Sequence, residues 1–377
     1  MTTLATAGML MSRNTQAENR FAVQPSAAIN GVSDSNLFFS PQSPASDRIF
    51  RIRPALGILF VSPRLSASMD YSMDADRYAT HTRLSDARAR QYGAIDLQYR
   101  ADPRLSLALT SSYTDTTTPA EFNIVTDLGA LRRRGQQLTL MPSARYEIST
   151  RLTAHASMSA TRQSLSGGPG TRSRFLSAGI DRRITPLDSM SVDVDGGQYA
   201  FDTNGIRKTT NTAVLRTKWT RQLDRQTSFN VSAGPRITAG SGAPEVAASL
   251  THRWQFTSLT IAAAQTETIA VGISDPVRVR TMDLRWDWTP KRDLDAYLAP
   301  AVYRTMRSGL QATVYHAAVG ARYALTPLMN FDAAYSFDSQ HGGIDLALPG
   351  GTFSRSVLSI GFSTRWSMPD AMNGGAR

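Results

Sequence analysis

The 377-residue chain has no cysteine, which excludes a disulfide framework and thiolate metal sites and suits an oxidising envelope compartment. It has no run of 18 apolar residues, so no transmembrane helix is expected. No segment holds a 3.6-residue period between helix caps, which removes helical architectures. Zinc-ligand spacing, a helix-turn-helix pattern and a glycine-rich phosphate loop are all missing. The pairs Gly167-Gly168 and Gly342-Gly343 read as turn punctuation. The formal charge of +11 is spread about one base per apolar run rather than gathered in a continuous basic stretch, so nucleic acid is not the expected partner. A polyanion remains a suitable one.

What the chain does have is period-two alternation. Leu105, Leu107 and Leu109 alternate with Ser106, Ala108 and Thr110; Leu358, Ile360 and Phe362 alternate with Ser359, Gly361 and Ser363. Six such runs end in a base followed by an aromatic: Arg145-Tyr146, Lys218-Trp219, Arg253-Trp254, Arg285-Trp286, Arg322-Tyr323 and Arg365-Trp366. Successive side chains on a strand point to opposite faces, so each pair sets a charge on one face and a ring on the other. A strand end with water on one side and a membrane interface on the other accommodates both, as in the aromatic girdles of transmembrane β-barrels. A mildly negative mean hydropathy of −0.26 fits a barrel whose lipid-facing and lumen-facing residues average out.

Connections of two classes take turns. Short ones such as Ser62-Pro63-Arg64, Asp102-Pro103-Arg104 and Thr326-Pro327-Leu328 alternate with longer Gly/Ser/Asp/Thr-rich stretches near 30–47, 74–88, 115–133, 164–171, 202–208, 240–244, 272–276, 305–311 and 338–352. The expected fold is all-β, a transmembrane antiparallel up-and-down barrel of about 18 strands (16–18) from Phe21 to Trp366, with both termini at the periplasmic end. Residues 1–18 would be a secretion-signal remnant or a disordered tail, 19–366 the barrel and 367–377 a periplasmic tail. Leu4–Met11 and the following Thr-Gln-Ala loosely match a signal, without the usual basic start.

With the apolar face of each strand towards lipid, Arg100, Arg145, Arg183, Lys218, Arg253, Arg285, Arg322 and Arg365 face inwards near the periplasmic turns. The expectation is an electropositive vestibule, with Asp193, Asp295 and Asp332 neutralising part of the ring by cross-strand pairing. The corresponding membrane girdle is Tyr146, Trp219, Trp254, Trp286, Tyr323 and Trp366. Arg132–Arg134 enter the sixth strand from a long loop, either as an anchor for lipopolysaccharide phosphate or as an ordinary solvated rim. The loop 115–133, with Asp115, Glu121 and Asp127, is long enough to fold inwards as a constriction or gate, or to stand outside as a flap. His155 and His316 face the lumen; His252 faces lipid without a convincing partner for hydrolytic chemistry. No enzyme, metal or cofactor is expected.

The stretches Asp47–Tyr78 (DRIFRIRPALGILFVSPRLSASMDYSMDADRY), Gly93–Pro103 and Thr114–Asn123 (TDTTTPAEFN) resemble an outer-membrane β-barrel family labelled porin type 2, found in exopolysaccharide loci. The resemblance implies a bacterial outer-membrane channel for export of an acidic exopolysaccharide. Its partners would be outer-membrane lipid and lipopolysaccharide, the anionic polysaccharide, and a periplasmic export adaptor supplied by another protein. The alternatives are a general or anion-preferring diffusion porin for small solutes, and a plugged structural or adhesion barrel whose lumen a folded loop fills.

Overall fold

The computed structural model describes residues 19–130, 132–203, 205–344 and 352–366; the tails expected at 1–18 and 367–377 lie outside the described residues. The chain runs through β1 (Arg20–Asp34), β2 (Asp47–Val61), β3 (Leu65–Tyr78), β4 (Asp86–Arg100), β5 (Leu105–Thr116) and β6 (Gly135–Ser149). It continues through β7 (Leu152–Leu165), β8 (Gly170–Arg183), β9 (Asp188–Thr203), β10 (Ile206–Gln222), β11 (Thr227–Thr238) and β12 (Ser241–Arg253). The last third is β13 (Thr257–Thr268), β14 (Val277–Lys291), β15 (Leu294–Arg307), β16 (Leu310–Thr326), β17 (Met329–Gly343) and β18 (Phe353–Arg365). Every strand is antiparallel to its sequence neighbours, and β1 also pairs with β18 from Ser26↔Arg365 to Asp34↔Val357, so the 18-stranded sheet is closed.

Alternation sets which face each residue takes. On β8, Leu176, Ala178 and Ile180 are exposed on the outside while Ser177, Gly179 and Asp181 face in. On β18, Leu358, Ile360 and Phe362 face out and Ser359, Gly361 and Ser363 face in. A barrel that leaves Leu176 at 64% and Met282 at 64% exposure has its apolar face in contact with hydrocarbon.

Mid-strand prolines leave defined gaps. Proline brings no N–H to the ladder, so a partner carbonyl goes without. The pairing skips two residue pairs beside Pro54 (β2–β3), Pro142 (β6–β7), Pro235 (β10–β11) and Pro300 (β14–β15). At Pro235 the neighbouring Gly234 lets the backbones close up: a Cβ there would lie 1.8 Å from the Leu215 carbonyl oxygen.

The expectation of uniformly long outer connections needs correcting. The β9–β10, β11–β12 and β15–β16 links are tight turns between Thr203 and Ile206, Thr238 and Ser241, and Arg307 and Leu310. Strands of up to 17 residues run on past the roughly 9–11 needed to cross the bilayer, so residues rich in turn formers are absorbed into ladder. The outer links that remain long are 35–46, 79–85, 117–134, 269–276 and 344–352.

This parity makes a direct prediction. Ile360→Lys, on the lipid face of the closing strand, should destabilise the barrel by about 2–4 kcal/mol, whereas the adjacent Ser359→Lys should cost much less. Urea titration of both variants refolded in lipid vesicles checks it.

Candidate functional site

The structure places all eight bases of the expected ring on the lumen face, one on every even-numbered strand from β4 to β18. Even strands all end at the same rim, and alternate strands lie about 10 Å apart, so the bases circle one end of the lumen. Two are ion-paired: Arg285 Nη2 with Asp287 Oδ1 at 2.7 Å, and Arg322 Nε with Asp332 Oδ1 at 2.6 Å. The other six form no ion pair with any described residue, and each faces serine across the ladder. Arg100 and Arg145 flank Ser106, Arg183 faces Ser189, Lys218 faces Ser191 and Ser232, Arg253 faces Ser258 and Arg365 faces Ser26. Serine is short and uncharged, so those six charges stay directed at the water of the lumen. Of the acids expected to neutralise the ring, Asp193 is taken by His155 (Nε2–Oδ1 2.6 Å) and Asp295 by the Thr289 hydroxyl (2.8 Å). The His155–Asp193 contact passes over Gly179 on the intervening strand, where a Cβ would sit 2.2 Å from Asp193 Oδ1.

All six girdle aromatics lie on the outer face. Tyr146, Trp254, Trp286, Tyr323 and Trp366 are exposed; Trp219 is half-buried and donates its indole N–H to Asp188 at 3.2 Å. His252 is also on this face, its Nδ1 2.7 Å from the Thr227 hydroxyl, which in turn donates to Asp224 at 2.7 Å. Thr227 stands in the middle with its one proton given to the carboxylate, so the imidazole donates to its oxygen rather than taking a proton from it. A hydrolytic triad needs the imidazole in the middle.

The outer half of the lumen differs in charge. There the bases meet acids: Arg51 with Asp76 (2.7 Å), Arg53 with Asp74 (2.5 Å), Arg355 with Asp34 (2.7 Å), and Arg216 with both Asp195 (3.1 Å) and Glu245 (2.5 Å). Arg236 is buried against the same Glu245.

Across this end lies the β5–β6 loop. It turns through Pro119–Phe122, and Glu121 takes Arg90 of β4 at 2.9 Å. Asn123 then braces the chain, its side-chain N–H donating to Leu128 O (2.8 Å) and its carbonyl accepting from Val271 N (2.8 Å) on the β13–β14 link. Asp127 has a left-handed backbone (φ 50°), which Asp tolerates better than most residues. Leu128 is buried with Ala270, Ile273, Val277, Val279, Ala312, Val314 and Ile344, on the wall opposite the strands that carry the loop. Gly129 N donates to Gln340 Oε1 at 3.0 Å. The β13–β14 link extends the cover towards β10, where Lys208 pairs with Asp275, itself 2.8 Å from Arg307. The loop therefore folds inwards and spans the lumen.

Its polar fastening is His316. One imidazole nitrogen, Nδ1, stands 2.5 Å from Asp338 Oδ1 on β17 and 3.2 Å from Asp127 Oδ2 on the loop. Burial, reinforced by the Asp338 charge, pushes the Asp127 carboxyl above its usual range, and His316 opposes this. The three ligand atoms lie within 4.8 Å of one another, a spacing that could hold a cation; imidazolium bridging two carboxylates accounts for the same convergence. Sequence reasoning found His316 and Asp127 separately but missed Asp338, Asn123, Leu128 and Gln340. Only the length of the loop pointed towards them.

Arg132–Arg134 are held by the protein. Arg132 lies over the Tyr78 ring (5.0 Å) and bonds its hydroxyl, Arg133 donates to Gly167 O (2.8 Å), and Arg134 pairs with Asp115 (2.9 Å). Each thus makes polar contacts with the protein's own loop or strand groups, while Arg133 and Arg134 stay exposed at the rim.

No protein-family model matches the chain, and no curated protein matches it. Its structure is similar to the siderophore receptor PirA from Acinetobacter baumannii, with a TM-score of 0.50 at 7% identity over 94% of this chain and 81% of that one. It is also similar to OpdQ from Pseudomonas aeruginosa, with a TM-score of 0.49 at 10% identity over 93% and 98% of the two chains. At 7% identity the PirA likeness speaks to fold alone. The closed 18-stranded barrel and its apolar outside decide the rest. This is a barrel of the bacterial outer membrane.

Removing the imidazole leaves two part-buried carboxylates facing each other. His316→Ala should weaken the loop's attachment by about 1.5–3 kcal/mol while the barrel stays folded. Amide exchange should then rise at Asn123–Gly129 with little change in the strands. Unchanged exchange would remove His316 from the fastening.

Proposed function

We propose that the chain is an outer-membrane channel with an electropositive periplasmic vestibule and an inward-folded loop that keeps the outer mouth shut at rest. The observation that carries this reading is the contrast between the two ends of the lumen. Six bases face serine and remain uncompensated near the short turns, whereas bases at the outer end are matched with acids beneath the loop. An anion arriving from the periplasm meets an attractive field that it does not meet from outside.

The same contrast favours export over free diffusion. Opening must expose Leu128 (about 1.5–3 kcal/mol), part Asp127 from His316 (about 1.5–3 kcal/mol) and break the Gly129–Gln340 and Asn123–Val271 hydrogen bonds (about 0.5–1.5 kcal/mol each). A total of roughly 4–9 kcal/mol populates an open state at only ~10⁻³ to 10⁻⁷. Such a channel passes little by spontaneous diffusion and suits a substrate that many weak contacts pull through. A polyanion spanning several bases has that property, and the likeness of Asp47–Tyr78 and Thr114–Asn123 to exopolysaccharide-locus porins points the same way. The polymer class we assign is an acidic exopolysaccharide, delivered by a separate periplasmic adaptor.

Planar-bilayer conductance tests the reading. The intact barrel should be nearly silent, and deletion of residues 119–130 should give large anion-selective currents that polygalacturonate blocks from the short-turn side. Charge reversal of Arg145, Arg183 and Arg253 together in the deleted barrel should move the reversal potential towards cation preference and abolish block. Large currents from the intact barrel, indifferent to polymer, would instead support a small-solute porin. Silence of the deleted barrel would support a structural one.

A further inference from the structure

Arginines elsewhere on the outer rim have no such partners. Arg162 of β7 and Arg172 and Arg174 of β8 are exposed on the lipid-facing side of their strands. Arg162 and Arg172 stand directly opposite each other in the ladder. None of the three makes an ion pair or a side-chain hydrogen bond with any described residue. Like charges opposite one another repel, so the bare protein holds an unfavourable arrangement here.

A second opposed pair on the same face shows how such repulsion is relieved within the chain. Arg280 faces Arg304 across β14–β15, but Arg280 donates to Gln265 Oε1 (2.7 Å) and Arg304 to Gln311 Oε1 (2.7 Å). In the first cluster the glutamine opposite Arg174, Gln198, bonds Asn211 instead of the arginine. Asp202, on the same face one strand further on, stands opposite Arg207.

The level of the cluster says what surrounds it. Met158, Leu176 and Val194 are exposed apolar residues on neighbouring strands of this face. Arg174 precedes Leu176 by two residues, about 7 Å along the strand. On β9 and β10 the polar line continues with Gln198 and Asn211, bonded to each other at 3.1 Å. The face thus passes from hydrocarbon-facing to cationic within one turn of the pleat, at the end remote from the short periplasmic turns. This is where the outer leaflet presents its headgroups.

We propose that Arg162, Arg172 and Arg174 form a binding site for the phosphates of a phosphorylated glycolipid of the outer leaflet, the lipid A part of lipopolysaccharide. Three guanidiniums supply parallel donor forks matched to phosphate oxygens. The acyl chains lie against Leu176 and Val194 below. The site rests on the outer-membrane placement of the barrel but uses none of the lumen, so it stands or falls separately from the channel.

The test is binding of purified bisphosphorylated lipid A to the detergent-solubilised barrel, measured by native mass spectrometry and by titration. The R162Q/R172Q/R174Q barrel should bind at least tenfold more weakly, and R280Q/R304Q should bind as the parent does. Heat-modifiable gel migration confirms that each variant is folded, and R172Q alone should give an intermediate loss if the triple variant does not fold. Dephosphorylated lipid A and phosphatidylglycerol should bind the parent more weakly than lipid A. Equal binding by the folded triple variant or by R172Q, or equal affinity for either comparison lipid, would overturn the site. Unaltered lipid A binding in a barrel lacking residues 119–130 is expected whichever way the conductance results fall.

Discussion

Closure of the ladder is the constraint from which the rest follows. Within hydrocarbon each backbone N–H and C=O must find its partner in the protein, and a sheet does so only by joining its last strand to its first. The β1–β18 seam makes that join. Once it is made, the parity of every strand is set, because a one-residue slip would turn each charge to lipid and each leucine to water. The proline gaps are tolerated for the same reason: each is confined to a short stretch of one seam with intact pairing on both sides. The basic ring is therefore a product of register. Its eight members come from strands far apart in sequence and circle one end because each lies towards the short-turn end of its strand.

Two features of the lumen then act together. Serines opposite six of the bases leave positive charge free at one end, and acids paired with bases use it up at the other. Between outer water and this gradient lies a loop fastened by one apolar residue, Leu128, one shared imidazole, His316, and the Gly129–Gln340 and Asn123–Val271 hydrogen bonds. None of these contacts is large. A loop held by a few kilocalories per mole is closed most of the time and can still move, as a channel needing regulated opening requires. On the outside, the same alternation that keeps leucines in hydrocarbon carries arginines into the headgroup level on β7 and β8.

Period-two patterning is local, so the strands, their number and the inward side of each base were legible in the sequence. Arg285 beside Trp286 and Arg365 beside Trp366 announced their faces without any knowledge of neighbours. What the sequence hid was anything decided across the barrel. Nothing near Asp127 in sequence marks His316 or Asp338 as its partners, since the contact depends on a loop crossing to strands roughly half a barrel away. The three tight outer turns were obscured for a different reason: stretches such as 202–208 contain residues common in loops, yet continuing the ladder satisfies their backbone as well as water does. Arg132–Arg134 looked like a free basic cluster because their partners, Tyr78 and Asp115 among them, are brought in by the fold.

The central claim is that the β5–β6 loop reaches the far wall and that this contact controls the channel. The absence of native cysteine makes it directly testable with Asp127→Cys and His316→Cys in one chain, treated with a short bis-methanethiosulfonate reagent, since side chains that meet only at their tips, at 3.2 Å, leave their Cβ atoms too far apart for a direct disulfide. The account predicts that the reagent joins the two thiols in the membrane-embedded barrel, that the joined barrel is silent in a bilayer, and that reduction restores brief openings, more frequent than in the parent because the His316 bond is gone. Thiols that stay free in the folded barrel, or conductance that ignores their redox state, would contradict it.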